Sequence, residues 1–169
     1  MGTARFFIEG AGTQTAGLGF GGYDTANTAA TEEYDGSTWT AGGSLATARR
    51  GSGGCGTQTA GLAFGGSPYS TLTEEYNGST WTSGGALNTG REYLSGAGPQ
   101  TSALAFGGLT PSVTGVTESY DGSIWSTRPS LGTARFSLAG AGNNTNGLAF
   151  AGRTPTITSA TEEYNVSSS

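Results

Sequence analysis

Acidic pairs recur through this 169-residue chain: Glu32-Glu33, Glu74-Glu75 and Glu162-Glu163, with Glu118-Ser119 in the corresponding third place. Neighbouring carboxylates are what glycoside hydrolysis uses, one as acid and one as nucleophile or base. A catalytic pair is needed once, however, and these return in every copy of a repeat. The chain also has no His and no Lys, so the commonest general base and the amine nucleophile are absent. Cys55 aligns with Ala11, Ala97 and Ala141, which reads as a small core residue and not as a nucleophile. No enzymatic activity, no cofactor and no metal site is expected. A structural role fits the recurrence better. Arg5, Arg49, Arg91 and Arg135 return in step with Glu32, Glu74, Glu118 and Glu162. A guanidinium fork can satisfy a carboxylate through two hydrogen bonds, so the expectation is a buried or half-buried ion pair in each copy.

The elements that must position these groups follow from the repeat. Each Arg is 15 residues from an aromatic, at Phe20, Phe64, Phe106 and Phe150. Tyrosines follow at Tyr34, Tyr76, Tyr120 and Tyr164, and each of the first three is again 15 residues from the next Arg. Only the Phe-to-Tyr interval varies: 14, 12, 14 and 14 residues. The chain therefore reads as a single domain over residues 1–169, with repeats at about 5–48, 49–90, 91–134 and 135–169.

Each copy reads as four short strands. The first (6–12, 50–56, 92–98 and 136–142) is rich in Gly, Ala and Ser and suits a crowded centre. The second alternates, as in Ala60-Gly-Leu-Ala-Phe64, and leaves a face of small residues into which a neighbour can pack. The third is Thr-Glu-Glu-Tyr or its variant, followed in the first three copies by Asp35-Gly36, Asn77-Gly78 and Asp121-Gly122, a tight-hairpin signal. The fourth carries Trp39, Trp81 or Trp125, and the last copy has no such Trp. The predicted fold is all-β: a β-propeller of four-stranded antiparallel blades, four repeats per chain, the last lacking its outer strand.

Composition is compatible with this lean architecture. Val, Leu, Ile and Phe are few enough to suggest disorder taken alone, but 32 Gly, seven Tyr and three Trp suit tight turns and aromatic packing. A net charge of −5 without a basic stripe argues against nucleic acid. No apolar run approaches membrane-spanning length, and the first residues lack the basic and apolar regions of a signal peptide. No membrane insertion is expected.

The order Arg, inner strand, strand ending in Gly-Gly, Tyr-Asp-Gly and Trp resembles the kelch repeat of kelch and galactose-oxidase-type β-propellers. The match spans essentially the whole chain. The chain is also similar to the Gly/Ala/Thr-rich kelch-like arrays of marine phages and other viruses. That resemblance implies a non-enzymatic binding or structural module, plausible as a virion-surface or tail component. Galactose-oxidase-like copper chemistry would require His ligands, which the chain lacks. Glu stands before the Tyr where kelch repeats usually carry an apolar residue.

The copies differ most in the loops at 23–30, 67–72, 109–116 and 153–160, and just after each Arg. A uniform scaffold with divergent loops on one rim is how binding modules are organised. Tyr23, Asp24, Arg50, Tyr69, Glu92, Thr110 and Arg153 are the candidate ligand-binding residues, for a glycan or a protein. Self-association is the other expectation: four blades could close alone, or two chains could complete a ring of eight, and an unpaired third strand in the last blade is an edge that proteins cover.

Overall fold

The computed structural model describes residues 1–165. Blade one is β1 (Glu9–Thr13), β2 (Ala16–Phe20), β3 (Thr31–Tyr34) and β4 (Trp39–Ala41). Blade two is β5 (Gly53–Thr57), β6 (Ala60–Phe64), β7 (Thr73–Tyr76) and β8 (Trp81–Ser83). Blade three is β9 (Ser95–Ala97) and β10 (Ala103–Phe106), then a two-stranded hairpin of β11 (Leu109–Thr110) and β12 (Ser112–Val113), then β13 (Thr117–Tyr120) and β14 (Trp125–Arg128). Blade four is β15 (Ala139–Gly142), β16 (Asn146–Phe150) and β17 (Thr161–Asn165), three strands among the described residues. Within each blade, sequential strands pair antiparallel from the inside outwards. This is a four-bladed β-propeller, and the described residues contain no helix able to cross a membrane.

Two sequence expectations are corrected. The inner strands begin three residues later than 6, 50, 92 and 136, at Glu9, Gly53, Ser95 and Ala139. The intervening Phe7, Gly51, Tyr93 and Ser137 have φ of 53°, 59°, 52° and 49°, a left-handed conformation that no strand accommodates. The Asp-Gly and Asn-Gly turns are not two-residue hairpins. Tyr34 pairs with Trp39 across four loop residues, and Asp35 Oδ1 accepts the backbone N–H groups of Ser37 and Thr38, each at 2.8 Å. Asn77 and Asp121 do the same in the next two copies, an Asx turn that the glycine at φ 91–96° completes.

The core is divided among the seams between blades. Leu18 and Phe20 of blade one pack with Leu45, Ala63, Tyr76 and Trp81. Leu62 and Phe64 meet Leu87, Leu94, Tyr120 and Trp125. Leu104 and Phe106 meet Leu138 and Ala149. The small residues of the second strands make this possible: a Cβ on Gly61 would stand 2.6 Å from Leu18 Cδ2, and one on Gly147 would stand 2.7 Å from Leu104 Cδ1. Each seam is thus a knob of one blade seated in a groove of the next.

Every repeating Arg meets its Glu: Arg5–Glu32 at 3.0 Å, Arg49–Glu74 at 2.9 Å, Arg91–Glu118 at 3.1 Å and Arg135–Glu162 at 3.2 Å. Arg91 also donates to the carbonyls of Gly107, at 2.9 Å, and of Val116. Burial lowers Arg91 to about 10, with Glu118 opposing the shift, so the guanidinium stays charged at neutral pH. Breaking a buried pair strands the remaining charge. Arg91→Ala is therefore expected to cost about 3–5 kcal/mol of unfolding free energy. Arg135→Ala should cost clearly less, because Glu162 is 28% exposed where Glu118 is fully buried. Urea unfolding of both variants checks the size and the order; a near-neutral Arg91→Ala would remove the pair from the structural account.

Candidate functional site

The divergent loops and the residues after each Arg lie at one end of the propeller, because they bond to one another. Phe6 and Tyr23 exchange backbone hydrogen bonds of 3.0 and 2.8 Å, and Glu92 with Leu109 and Phe136 with Arg153 do likewise. Ser67 N–H donates to Arg50 C=O at 2.9 Å in the second copy. This end is the rim on which a ligand site would sit.

One step inside the rim lie the left-handed residues. Gly51 N–H donates to Phe7 C=O at 3.2 Å, Tyr93 N–H to Gly51 C=O at 2.6 Å, and Ser137 N–H to Tyr93 C=O at 2.8 Å. The backbone thus steps from blade to blade around the mouth of the central channel. Bulky residues at positive φ are costly and collect where their placement serves a function. Phe7 and Tyr93 meet edge-on with ring centroids 5.3 Å apart, and Phe7 touches Phe6 at 4.8 Å. Phe6 meets Tyr23 edge-on at 5.3 Å, and the Arg50 guanidinium lies over the Tyr23 ring at 4.7 Å. Arg50 Nη1 also donates to Asn27 Oδ1 at 3.2 Å. Phe6 and Phe7 remain about half exposed. The result is a chain of ring contacts ending in a stacked cation, whose Phe7 and Tyr93 end lines a mouth cavity of about 200 Å³.

The candidate residues divide accordingly. Tyr23 and Arg50 belong to this surface. Glu92 stands beside it, its Oε2 buried and without a hydrogen-bond partner. Asp24 is exposed at the tip of its loop, and the N–H groups of Thr25 and Ala26 hold its carboxyl below the usual range. Tyr69, Thr110 and Arg153 stay apart: no hydrogen bond, ring pair or ion pair joins them to the Tyr23–Arg50 group among the described residues. Tyr69 backs onto Gly90, Thr110 lies in the small hairpin, and Arg153 stacks loosely on Phe136 at 5.8 Å. The framework residues Tyr34, Tyr76, Tyr120 and Tyr164 and the Trp side chains are scaffold, and Tyr76 and Tyr120 are buried.

Phe7, Tyr93 and Glu9 are the residues that inspection of the loops missed. All three fall within five residues of a repeating Arg, in columns where the copies disagree: Phe7, Gly51, Tyr93, Ser137 and then Glu9, Gly53, Ser95, Ala139. Glu9 lines a channel of about 440 Å³ walled by the four inner strands, and is the one acidic residue on that wall. Desolvation raises its carboxyl to about 7, against a partly compensating bond from Gly10 N–H. The Cys55 thiol in the same channel is pushed up to about 12 by burial, with Glu9 adding to the shift. A thiol held that high is not a nucleophile at neutral pH. Among the described residues no three His, Cys, Asp or Glu converge on a point where a metal could bind. The mouth can stack and hydrogen-bond a ligand.

Comparison with protein-family models and with curated proteins gives no match.

A carboxyl raised in the folded state is protonated more readily there than in the unfolded chain. Its ionisation therefore opposes folding as pH rises from about 4.5 through 7. Glu9→Gln is expected to be neutral near pH 4 and to raise stability at pH 8 by about 1–2 kcal/mol. Thermal melts at the two pH values check this; equal effects at both would place the Glu9 carboxyl in ordinary solvent.

Proposed function

We propose that this chain is a kelch-type propeller acting as a non-enzymatic recognition module, with a glycan as its ligand class, bound at the channel mouth. The observation that carries the reading is the run of rings formed by half-exposed Phe6 and Phe7 with partly buried Tyr23 and Tyr93, and Arg50 stacked at its end. Aromatic faces accept the apolar faces of sugar rings, and a guanidinium and neighbouring carboxylate supply directed hydrogen bonds to hydroxyls. Exposed apolar patches on a soluble surface mark interaction sites. The kelch assignment rests on the Arg, Gly-Gly, Tyr-Asp-Gly and Trp order of the repeat together with the four-stranded blades. On resemblance alone, the reading extends to a component of a viral particle surface.

A glycan array with the intact chain tests the ligand class, followed by titration of any hit against Tyr23→Ala and Arg50→Ala. Each variant is expected to weaken binding at least tenfold without lowering the melting temperature. An array without a hit, or variants that bind unchanged, would overturn the reading. Phe7→Gly sharpens the distinction between scaffold and site. Glycine removes the cost of a left-handed residue, on the order of 1 kcal/mol. The variant should therefore melt no lower than the parent while losing binding. A loss of several kcal/mol would make Phe7 a packing residue.

A further inference from the structure

Three seams join four blades, and the two between blades one and two and between blades two and three are built from the same contacts. From the preceding blade come a Leu and a Phe of the second strand and a Thr and a Glu of the third. From the following blade come a Trp, a Tyr and a Gln. The third seam has Ser119 in place of the Glu and Asn144 in place of the Gln. Trp81 Nε1 donates to Thr31 Oγ1, and Trp125 Nε1 to Thr73 Oγ1, both at 2.9 Å. The two indoles meet Phe20 and Phe64 edge-on at 5.0 and 4.9 Å. Tyr76 donates to Glu33, and Tyr120 to Glu75 at 2.6 Å. Gln58 Nε2 bonds the carbonyls of Gly17 and Tyr34, and Gln100 Nε2 those of Gly61 and Tyr76.

Both halves of this seam remain single at the two ends of the array. β1 packs on β5, β5 on β9 and β9 on β15, but β15 does not pack on β1 in this way among the described residues. On blade one, the one ring that Trp39 meets is its own Tyr34, at 5.1 Å, where Trp81 and Trp125 each also meet a Phe. Met1, half exposed, occupies the place that the seam leucine Leu45 takes one repeat later, and Gln14 is exposed. On blade four, Thr161 is exposed where Thr31, Thr73 and Thr117 are at most 3% exposed. Phe150 is partly exposed where Phe20, Phe64 and Phe106 are fully buried, and Glu163 is exposed. The mouth ladder stops as well: it runs from Phe7 to Ser137, with no bond from Ser137 back to Phe7 among the described residues.

We infer that the blade-four face of one chain docks on the blade-one face of a second copy, head to tail. The occupant is argued from continuity with the internal seams. Leu148, Phe150, Thr161 and Glu163 offer the half that the internal seams complete with Gly61, Trp81 and Tyr76, and the second copy presents Gly17, Trp39 and Tyr34 in those places. Gln14 of that copy reaches the carbonyls of Gly147 and Tyr164. A heterologous contact of this kind closes a ring or extends an open array, according to the rotation between copies. These contacts are independent of any ligand at the channel mouth.

Light scattering on the 169-residue chain at micromolar concentration, with acrylamide quenching of tryptophan, tests this. The expected particle has at least twice the chain mass of 16.8 kDa, and its Trp39 is shielded. Thr161→Arg blocks the blade-four face and Gln14→Glu sets a charge against the carbonyls. Each should raise the dissociation constant at least tenfold at unchanged circular dichroism. Because each variant keeps one good face, mixing the two should restore a two-chain particle. A monomer would overturn the inference, whether Trp39 is quenchable or shielded by closure within one chain. Association insensitive to both substitutions, or a mixture that stays monomeric, would assign the contact to another surface.

Discussion

The buried arginine is the interaction on which the rest of the structure depends. Its side chain fixes the third strand of its own blade through the Glu carboxylate. Its backbone carbonyl receives an N–H from the Gly pair of the blade before: Gly22 to Arg49, Gly66 to Arg91 and Gly108 to Arg135, at 2.9, 2.9 and 2.8 Å. One residue therefore ties the inner and outer parts of one blade to the end of the strand before it. Replacing the ion pair by apolar residues could be neutral in free energy, since desolvation offsets much of the attraction. A hydrocarbon could not also hold the carbonyls of Gly107 and Val116, which Arg91 satisfies in the same pocket.

Because the apolar contacts lie in seams, stability is approximately a sum over neighbouring blades. A chain poor in Val, Leu, Ile and Phe can fold this way, since each seam needs only a Leu and a Phe set against small residues and capped by an aromatic. The arrangement also leaves ends. An internal blade has both flanks covered, whereas the first and last have one each. The exposure of Thr161 and the single ring contact of Trp39 are the direct cost.

The repeat intervals made the number of blades, the three Trp-bearing outer strands and the Arg–Glu pairing legible, because recurrence at a fixed spacing separates a framework need from a local accident. The starts of the inner strands were not legible. Phe6-Phe7-Ile8 and Tyr93-Leu94 have strand-like composition, and nothing in their residue types announces a left-handed backbone. The one sign is Gly51, which holds the same place in the second copy and pays nothing for that conformation. The Tyr23–Arg50 contact joins two repeats and two loops, so spacing within a repeat could not reveal it. The β11–β12 hairpin pairs Leu109 with Val113, and blades one and four make the same pairing as single bridges, Tyr23 with Asn27 and Arg153 with Ile157, so it is shared by the three copies with the longer loop.

Departures from the repeat are where this molecule differs from a pure scaffold, and they fall in two classes. At Phe7 and Tyr93 the framework geometry is kept while its natural residue, glycine, is replaced by a ring that the backbone accommodates only under strain. Such a residue lowers stability locally and places an aromatic ring at the mouth that glycine would not supply. At Glu9 the framework is kept while a carboxylate is set against a wall of Gly, Ala and Cys55, raising its pKa. Drift in an unconstrained surface would scatter substitutions over all exposed positions. Phe7, Tyr93 and Glu9 fall around the channel, whereas Tyr69 and Ala151, also left-handed, lie outside that group, so the backbone strain is concentrated at the channel without being confined to it.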